Sequence, residues 1–390
     1  GTLALADNSG SASNYSLSSG SFDVTTKNIT FVGSRVYDGT TTVNSANISS
    51  TFSGLIGSET LTLSGSGSVA SKNVASGQSV TIGSIAIANG TGVASNYSLT
   101  SATLDITRRP ISLSGSRVYD ATTTASSSDL TTLSNRVGSE TLVLSNSGTV
   151  SNANVGTDKT VTVGSLDLGN GSNGGLGSNY TLSGGTHTLS VTKRPVTISG
   201  SRFYDGTTTV SASDISTFNN RAGGETLTIT GSGTVSTAIA GSGKNISLSS
   251  LALADGSGTA ENYSLASGTF DINARQLNIS GSRVYDNTTV VNGSDLVVTT
   301  GVGSEIITLS GQGSVPNANV ENNKTVTQNT LSIVSASGSS SNYTIGTIAL
   351  TITQRPVNVS IEKIYDGTLD APASGLKSNG ITNTVGGQTL

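Results

Sequence analysis

Cysteine is absent from this 390-residue chain, and so are methionine and tryptophan. Without cysteine there can be no disulfide framework, no thiolate nucleophile and no thiolate metal site. The redox compartment stays open, because extracellular proteins can dispense with cysteine when other stabilisers exist. Histidine occurs once, as His187. It has no second histidine to share a metal and no repeated Ser–Asp pair to complete a triad, so catalysis is not expected of it. Charged residues make up only 11% of the chain, against roughly 25% in ordinary globular domains. The net charge of −4 offers no basic patch for nucleic acid or an anionic membrane surface. No apolar run approaches the roughly 18 residues of a membrane-spanning helix, so direct membrane insertion is not expected.

Low charge does not mean disorder here. The hydrophobic fraction is 33%, whereas disordered chains combine weak hydrophobicity with high net charge. Serine, threonine, asparagine and 49 glycines carry the polarity instead. Hydroxyl and amide side chains suit the solvated faces of β-sheets better than helix surfaces, which favour Glu, Lys and Ala.

What is present is repetition. All ten tyrosines fall in two motifs. Tyr-Asp occurs at Tyr37-Asp38, Tyr119-Asp120, Tyr204-Asp205, Tyr285-Asp286 and Tyr365-Asp366. Asn-Tyr occurs at Asn14-Tyr15, Asn96-Tyr97, Asn179-Tyr180, Asn262-Tyr263 and Asn342-Tyr343. Both recur at a period of ~82 residues, which decides architecture before any local reading does. Residues 1–26 read as the C-terminal part of a truncated repeat. Full repeats run 27–108, 109–193, 194–274 and 275–354, and 355–390 opens another. The chain therefore reads as a segment of something longer, here a monomeric fragment.

Each repeat opens with an alternating stretch such as Val196-Thr197-Ile198-Ser199, a strand with one buried face. Three repeat boundaries carry Arg-Pro, at Arg109-Pro110, Arg194-Pro195 and Arg355-Pro356, which predicts short, stiff joints. After Tyr-Asp comes a turn residue, Gly39, Ala121, Gly206, Asn287 or Gly367. Ala121 argues against an obligatory left-handed backbone there. Stretches such as Asp129-Leu130-Thr131-Thr132-Leu133 predict an N-capped helical turn. Strands starting at Glu59, Glu140, Glu225 and Glu305 follow, and the closing strand starts at Asn-Tyr. The count is about six strands and one short helix per repeat, a mainly β module near the size where independent folding is marginal.

The run Ser-Arg-Val-Tyr-Asp-Gly-Thr-Thr, the stretch from Asn154 to Val161 and the terminal Asn-Tyr-Thr-Leu together resemble the YDG domain. Such modules occur in tandem within large bacterial surface adhesins, including filamentous-haemagglutinin-like exoproteins secreted by the two-partner route. The resemblance implies β-grasp-like modules with one short helix each, arranged end to end as an elongated rod. It implies an extracellular location at the bacterial cell surface, associated with the outer membrane. The implied function is the structural stalk of an adhesin acting in cell adhesion, aggregation or biofilm formation. The implied partner is a host or bacterial surface glycan, polysaccharide or protein receptor, reached through the parent adhesin. Ala121, Asn287 and Gln78 depart from the motif.

Several sharper functions can be weighed on the same residues. Tyr-Asp could form a sugar site repeated for multivalent binding, but a tyrosine at the repeat seam beside a turn-closing aspartate explains the same recurrence. No cofactor is expected. Structural Ca²⁺ at a joint is the one metal alternative, and it wants 6–8 oxygens from clustered carboxylates, whereas these aspartates are isolated. Lys159, Lys244 and Lys324 share one column and could form isopeptide crosslinks, except that Gln78 holds the place in the first repeat. Every Asn-Tyr is also a glycosylation sequon, but a strand-starting asparagine accounts for it. No pair of carboxylates stands out for glycosidic chemistry, so no enzyme activity is expected.

Overall fold

The computed structural model describes residues 2–300, 302–335 and 337–390. It divides into two compact units, Gly1–Thr192 and Lys193–Leu390. Both are built from short strands, and the helical segments among the described residues are three-residue 3-10 turns.

The third repeat shows the plan. Its opening strand Arg194–Phe203 and closing strand Tyr263–Asn273 lie side by side in the middle of a four-stranded sheet. They run parallel, while Ile215–Asn219 and Gly241–Asn245 flank them antiparallel. Two small antiparallel ribbons, Thr209–Ser211 with Ser232–Thr234 and Leu227–Thr230 with Ala252–Asp255, cover the sheet's apolar side. The fourth repeat follows the same plan around Arg275–Val284 and Tyr343–Thr353. In the first repeat the opening and closing strands are Lys27–Val36 and Tyr97–Thr107. There one ribbon joins the main sheet through Ser66–Val69 and Ala75–Thr81. In the second the central pair is Ser112–Val118 with His187–Thr192, and a short Tyr180–Thr181 pairing precedes it. Within each unit, no strand of one repeat pairs with a strand of another among the described residues.

The alternating sequence produces the core directly. Successive side chains on a strand point to opposite faces, so Ile29, Phe31, Leu104 and Ile106 turn inward while Thr30 and Asp105 between them lie half-buried on the other face. In the second unit the buried residues of the third and fourth repeats form one continuous cluster, running through Tyr204, Val302 and Tyr343. Neighbouring repeats thus share part of their interior, which offsets the thin core of a module this small.

Three local expectations are corrected. Among the described residues, repeats one, three and four each have eight strands rather than six. The expected helical turn after Tyr-Asp, and with it the helix of a β-grasp-like module, reduces to a single 3-10 turn such as Ala212–Asp214. Its aspartate closes the turn instead of opening a helix. Asp129, Asp214 and Asp295 each reach back three residues to accept a backbone N–H, from Ser126, Ser211 and Asn292. The Ile or Leu that follows then enters a strand or the core. The third correction concerns Ala121. Its φ is 65°, within the range of Gly39 at 77°, Gly206 at 81°, Asn287 at 61° and Gly367 at 86°. A left-handed residue is present in all five copies. Asp38 shows why: its Oδ1 accepts both the backbone N–H and the hydroxyl of Thr40 at 3.0 Å, folding the chain back over position 39. Asp120, Asp205, Asp286 and Asp366 make the same pair of bonds to Thr122, Thr207, Thr288 and Thr368.

An arginine two residues before each of the first four motif tyrosines secures this loop. The buried Arg35 guanidinium donates to the carbonyls of Thr40 and Thr42 and pairs with Asp38 at 3.1 Å. Arg117, Arg202 and Arg283 repeat the arrangement on Thr122 and Thr124, Thr207 and Thr209, and Thr288 and Val290.

Candidate functional site

Within each unit, repeated tyrosines meet at the joints between repeats. Within the first unit, Tyr37 leaves the end of the first repeat's opening strand and is completely buried, at 0% exposure. Its hydroxyl donates to Glu140 Oε1 of the second repeat at 2.8 Å. Tyr180, from the second repeat's own Asn-Tyr motif, donates to the other carboxylate oxygen at 2.6 Å. The two rings meet edge to face, with centroids 5.4 Å apart. Tyr180 Oη in turn accepts the Val137 backbone N–H, and Lys72 from the first repeat reaches Glu140 Oε1 at 3.4 Å. One buried carboxylate is therefore held by two phenols and an ammonium drawn from two repeats.

The second unit repeats the latch. Tyr204 donates to Glu305 Oε1 at 2.6 Å and Tyr343 donates to Oε2. The rings again meet edge to face, at 5.5 Å. At the following joint Gln388 occupies the glutamate column and donates through Nε2 to Tyr285 Oη at 2.8 Å. Tyr97 in the first repeat keeps the bond to its own Glu59. Tyr119 and Tyr263 are also buried, whereas Tyr15 and Tyr365 are exposed.

Electrostatics follow from the burial. The Tyr37 hydroxyl is pushed up to about 12, first by burial and then by its bond to Glu140, with Asp38 adding a little. Burial, followed by the same carboxylate, raises Tyr180 to about 12, and Tyr204 rises to about 12 through burial and Glu305. For Glu140, burial pushes upward, but the bonds from Tyr180, Tyr37 and Lys72 outweigh it and hold the carboxyl below its ordinary value. Phenols that keep their protons and a carboxylate that sheds its own reinforce each other.

The asparagines form the second half of the joint. Asn179 ends a 3-10 turn, Gly177–Asn179, and Tyr180 starts the strand. Asn179 is fully buried. Its Oδ1 accepts the Val74 backbone N–H and its Nδ2 donates to Asn73 Oδ1, both at 3.0 Å and both in the preceding repeat. Asn342 likewise accepts the Ala240 N–H at 2.8 Å. Asn262 is buried and Asn96 is exposed. This contact is a reason for the motif that the strand-start reading missed. Asn179→Ala is expected to cost about 2 kcal/mol in urea unfolding, because the half-buried Val74 N–H loses its acceptor and Asn73 Oδ1 its donor. Asn96→Ala, at the same column but exposed, should stay within about 0.5 kcal/mol.

The lysine column shapes the loop that Asn grips. Lys159 Nζ donates to Asn152, Lys244 to Thr237 and Lys324 to Asn317 and Asn319, while Gln78 Nε2 donates to the Asn73 carbonyl in the first repeat. The boundary arginines also span the joints. Arg109 reaches the Tyr37 carbonyl at 3.3 Å, Arg275 the Tyr204 carbonyl and Arg355 the Tyr285 carbonyl. Arg275 does this with no proline behind it, so arginine rather than proline is the shared element of these boundaries. The single histidine, His187, is buried in the second repeat with Nε2 bonded to the Leu182 carbonyl.

The glutamates were the residues whose role sequence reasoning did not find. Glu59, Glu140, Glu225 and Glu305 read as strand starts and as neighbours of the candidate isopeptide lysines, with nothing in the sequence tying them to the joints. The available signal was a lone acidic residue recurring once per repeat in a charge-poor chain.

Copies of one β-sheet module, joined within each unit by a tyrosine–glutamate latch, define a tandem-repeat protein. The chain belongs to the YDG domain family, which matches at residues 23–104, 107–189, 188–270 and 273–350. No curated protein sequence matches it. Among solved structures it is similar to Drosophila N-cadherin EC1-3 at 9% identity, over 64% of this chain and 98% of that one. The TM-score is 0.14, too low to carry any argument.

Proposed function

We propose that these repeats are the spacer of a secreted bacterial surface adhesin of the filamentous-haemagglutinin kind, holding a binding region away from the cell. They would thereby serve adhesion, aggregation or biofilm formation. The observation that carries this reading is the latch: the same Tyr–Glu–Tyr contact joins the first repeat to the second and the third to the fourth. A contact that fixes the spacing of neighbours is what a spacer needs, and repetition adds length. At the first joint the titratable groups have been moved away from neutrality, the Tyr37 and Tyr180 phenols up and the Glu140 carboxyl down, which is the opposite of what general acid–base catalysis uses.

The multivalent glycan reading requires an exposed aromatic platform in every repeat. Tyr37, Tyr97, Tyr119, Tyr180, Tyr204, Tyr263 and Tyr343 are buried instead, so the spacer reading is preferred. Small-angle scattering on the chain tests it: a rod of such modules has a radius of gyration of about 40 Å and one compact globule of this length about 21 Å. A value near the compact figure would end the spacer proposal.

A further inference from the structure

The order of strands has a mechanical consequence. In the first repeat the chain enters the central ladder at Lys27, paired with Tyr97, and leaves it at Thr107, paired with Val36. Because the two strands are parallel, entry and exit lie at opposite ends of the same ladder. Tension along the chain then slides one strand lengthwise against the other, and the inter-strand hydrogen bonds are loaded together. An antiparallel terminal pair would be opened one bond at a time from its end. We propose that each repeat is a force-bearing shear clamp that keeps the tandem chain folded under load. This goes beyond the spacer reading and stands on strand order within a repeat, whatever the shape of the whole chain.

Three further features support it. The parallel register recurs from Arg194↔Tyr263 to Phe203↔Asn273 and from Arg275↔Tyr343 to Val284↔Thr353, with the second repeat keeping a shorter version from Leu113↔His187 to Val118↔Thr192. The exit end carries an extra rung in all four repeats: the backbone N–H groups of Tyr37, Tyr119, Tyr204 and Tyr285 donate to the carbonyls of Thr107, Thr192, Asn273 and Thr353, each at 2.9 Å. The ladder is also central, flanked by a strand on either side, so water cannot readily replace its hydrogen bonds as it strains.

The chain has no cysteine, so two engineered thiols define the direction of pull in single-molecule force spectroscopy. Thr26→Cys with Arg108→Cys pulls the first repeat in shear, and Thr26→Cys with Ser95→Cys peels the same two strands from their shared end. All three sites are exposed. Rupture in shear is expected at about three- to fivefold the force of peeling, because many bonds must fail together rather than in turn. Equal forces, or a stronger peel, would overturn the proposal. The unmodified chain pulled by its ends supplies an independent reading. Slack of roughly 80 residues at ~3.6 Å each, less the ~35 Å folded strand, predicts successive steps of about 250 Å. Extension without resolvable rupture peaks would also overturn it.

Discussion

Replacing Glu140 with alanine is expected to loosen the first joint by about 3–4 kcal/mol. The carboxylate is 5% exposed and accepts from two phenols as well as Lys72. Hydrogen bonds to a charged group are worth about 1.5–3 kcal/mol each, and removing the acceptor leaves two buried hydroxyls without it. Tyr37→Phe removes one donor and keeps the ring packed against Tyr180, so its cost should be nearer about 2 kcal/mol. A double-mutant cycle on Tyr37 and Glu140 separates the inter-repeat term from what Glu140 does inside its own repeat. Urea unfolding gives the total, and hydrogen exchange at the Val74 amide reports the joint itself, because that N–H is held by Asn179 across it. A Glu140→Ala cost below about 1 kcal/mol, with Val74 exchange unchanged, would show that the latch does not couple the repeats.

Raising the pH from 10 to 12 should release the same joints, at an expected loss on the order of 3 kcal/mol for the Tyr37–Tyr180 pair. In the unfolded chain tyrosine ionises near its ordinary value of about 10, while Tyr37, Tyr180 and Tyr204 in the folded chain keep their protons up to about 12. Their contribution to stability is therefore complete below the unfolded value and is lost as the pH climbs through the folded one. The loss is smaller than two independent phenols would give, because both donate to one carboxylate. Tyr343 is raised further, through burial and Glu305, and should follow last. At the acid end Glu140 has the opposite sign: its depressed value means that stability present above the ordinary carboxyl range falls away as the pH drops through the folded value. Tyrosinate absorbance recorded alongside the sheet signal decides the alkaline case. The two should change together in the parent chain, and the step should shrink in Tyr37→Phe/Tyr180→Phe. Smooth ionisation with an unaltered sheet signal would contradict the assignment.

Much of the fold was legible because its causes are local and repeated. Alternation in Val196–Ser199 marks a strand with one buried face, and Asp38 in front of Gly39 marks a turn. The failed helix at Asp129 shows where local rules stop, since an aspartate before an apolar run can cap a helix or close a single turn. Here the neighbouring strand took the residues that follow. Ala121 misled for a related reason. Alanine disfavours a left-handed backbone by about 1–2 kcal/mol, and only the Asp120 bonds to Thr122 show that the turn imposes it anyway.

The chain's own order of residues determined the period, the β class, the turns and which tyrosines recur, because each depends on neighbours a few positions apart. Tertiary structure alone decided what those tyrosines do. Tyr37 lies more than a full repeat from Glu140 and Asn179, which sit in separate loops of the next repeat, and only folding brings them together. The parallel pairing of first and last strands was hidden for the same reason. Its bonds join residues about 70 positions apart, and no local preference distinguishes a strand that will meet a parallel partner from one that will not.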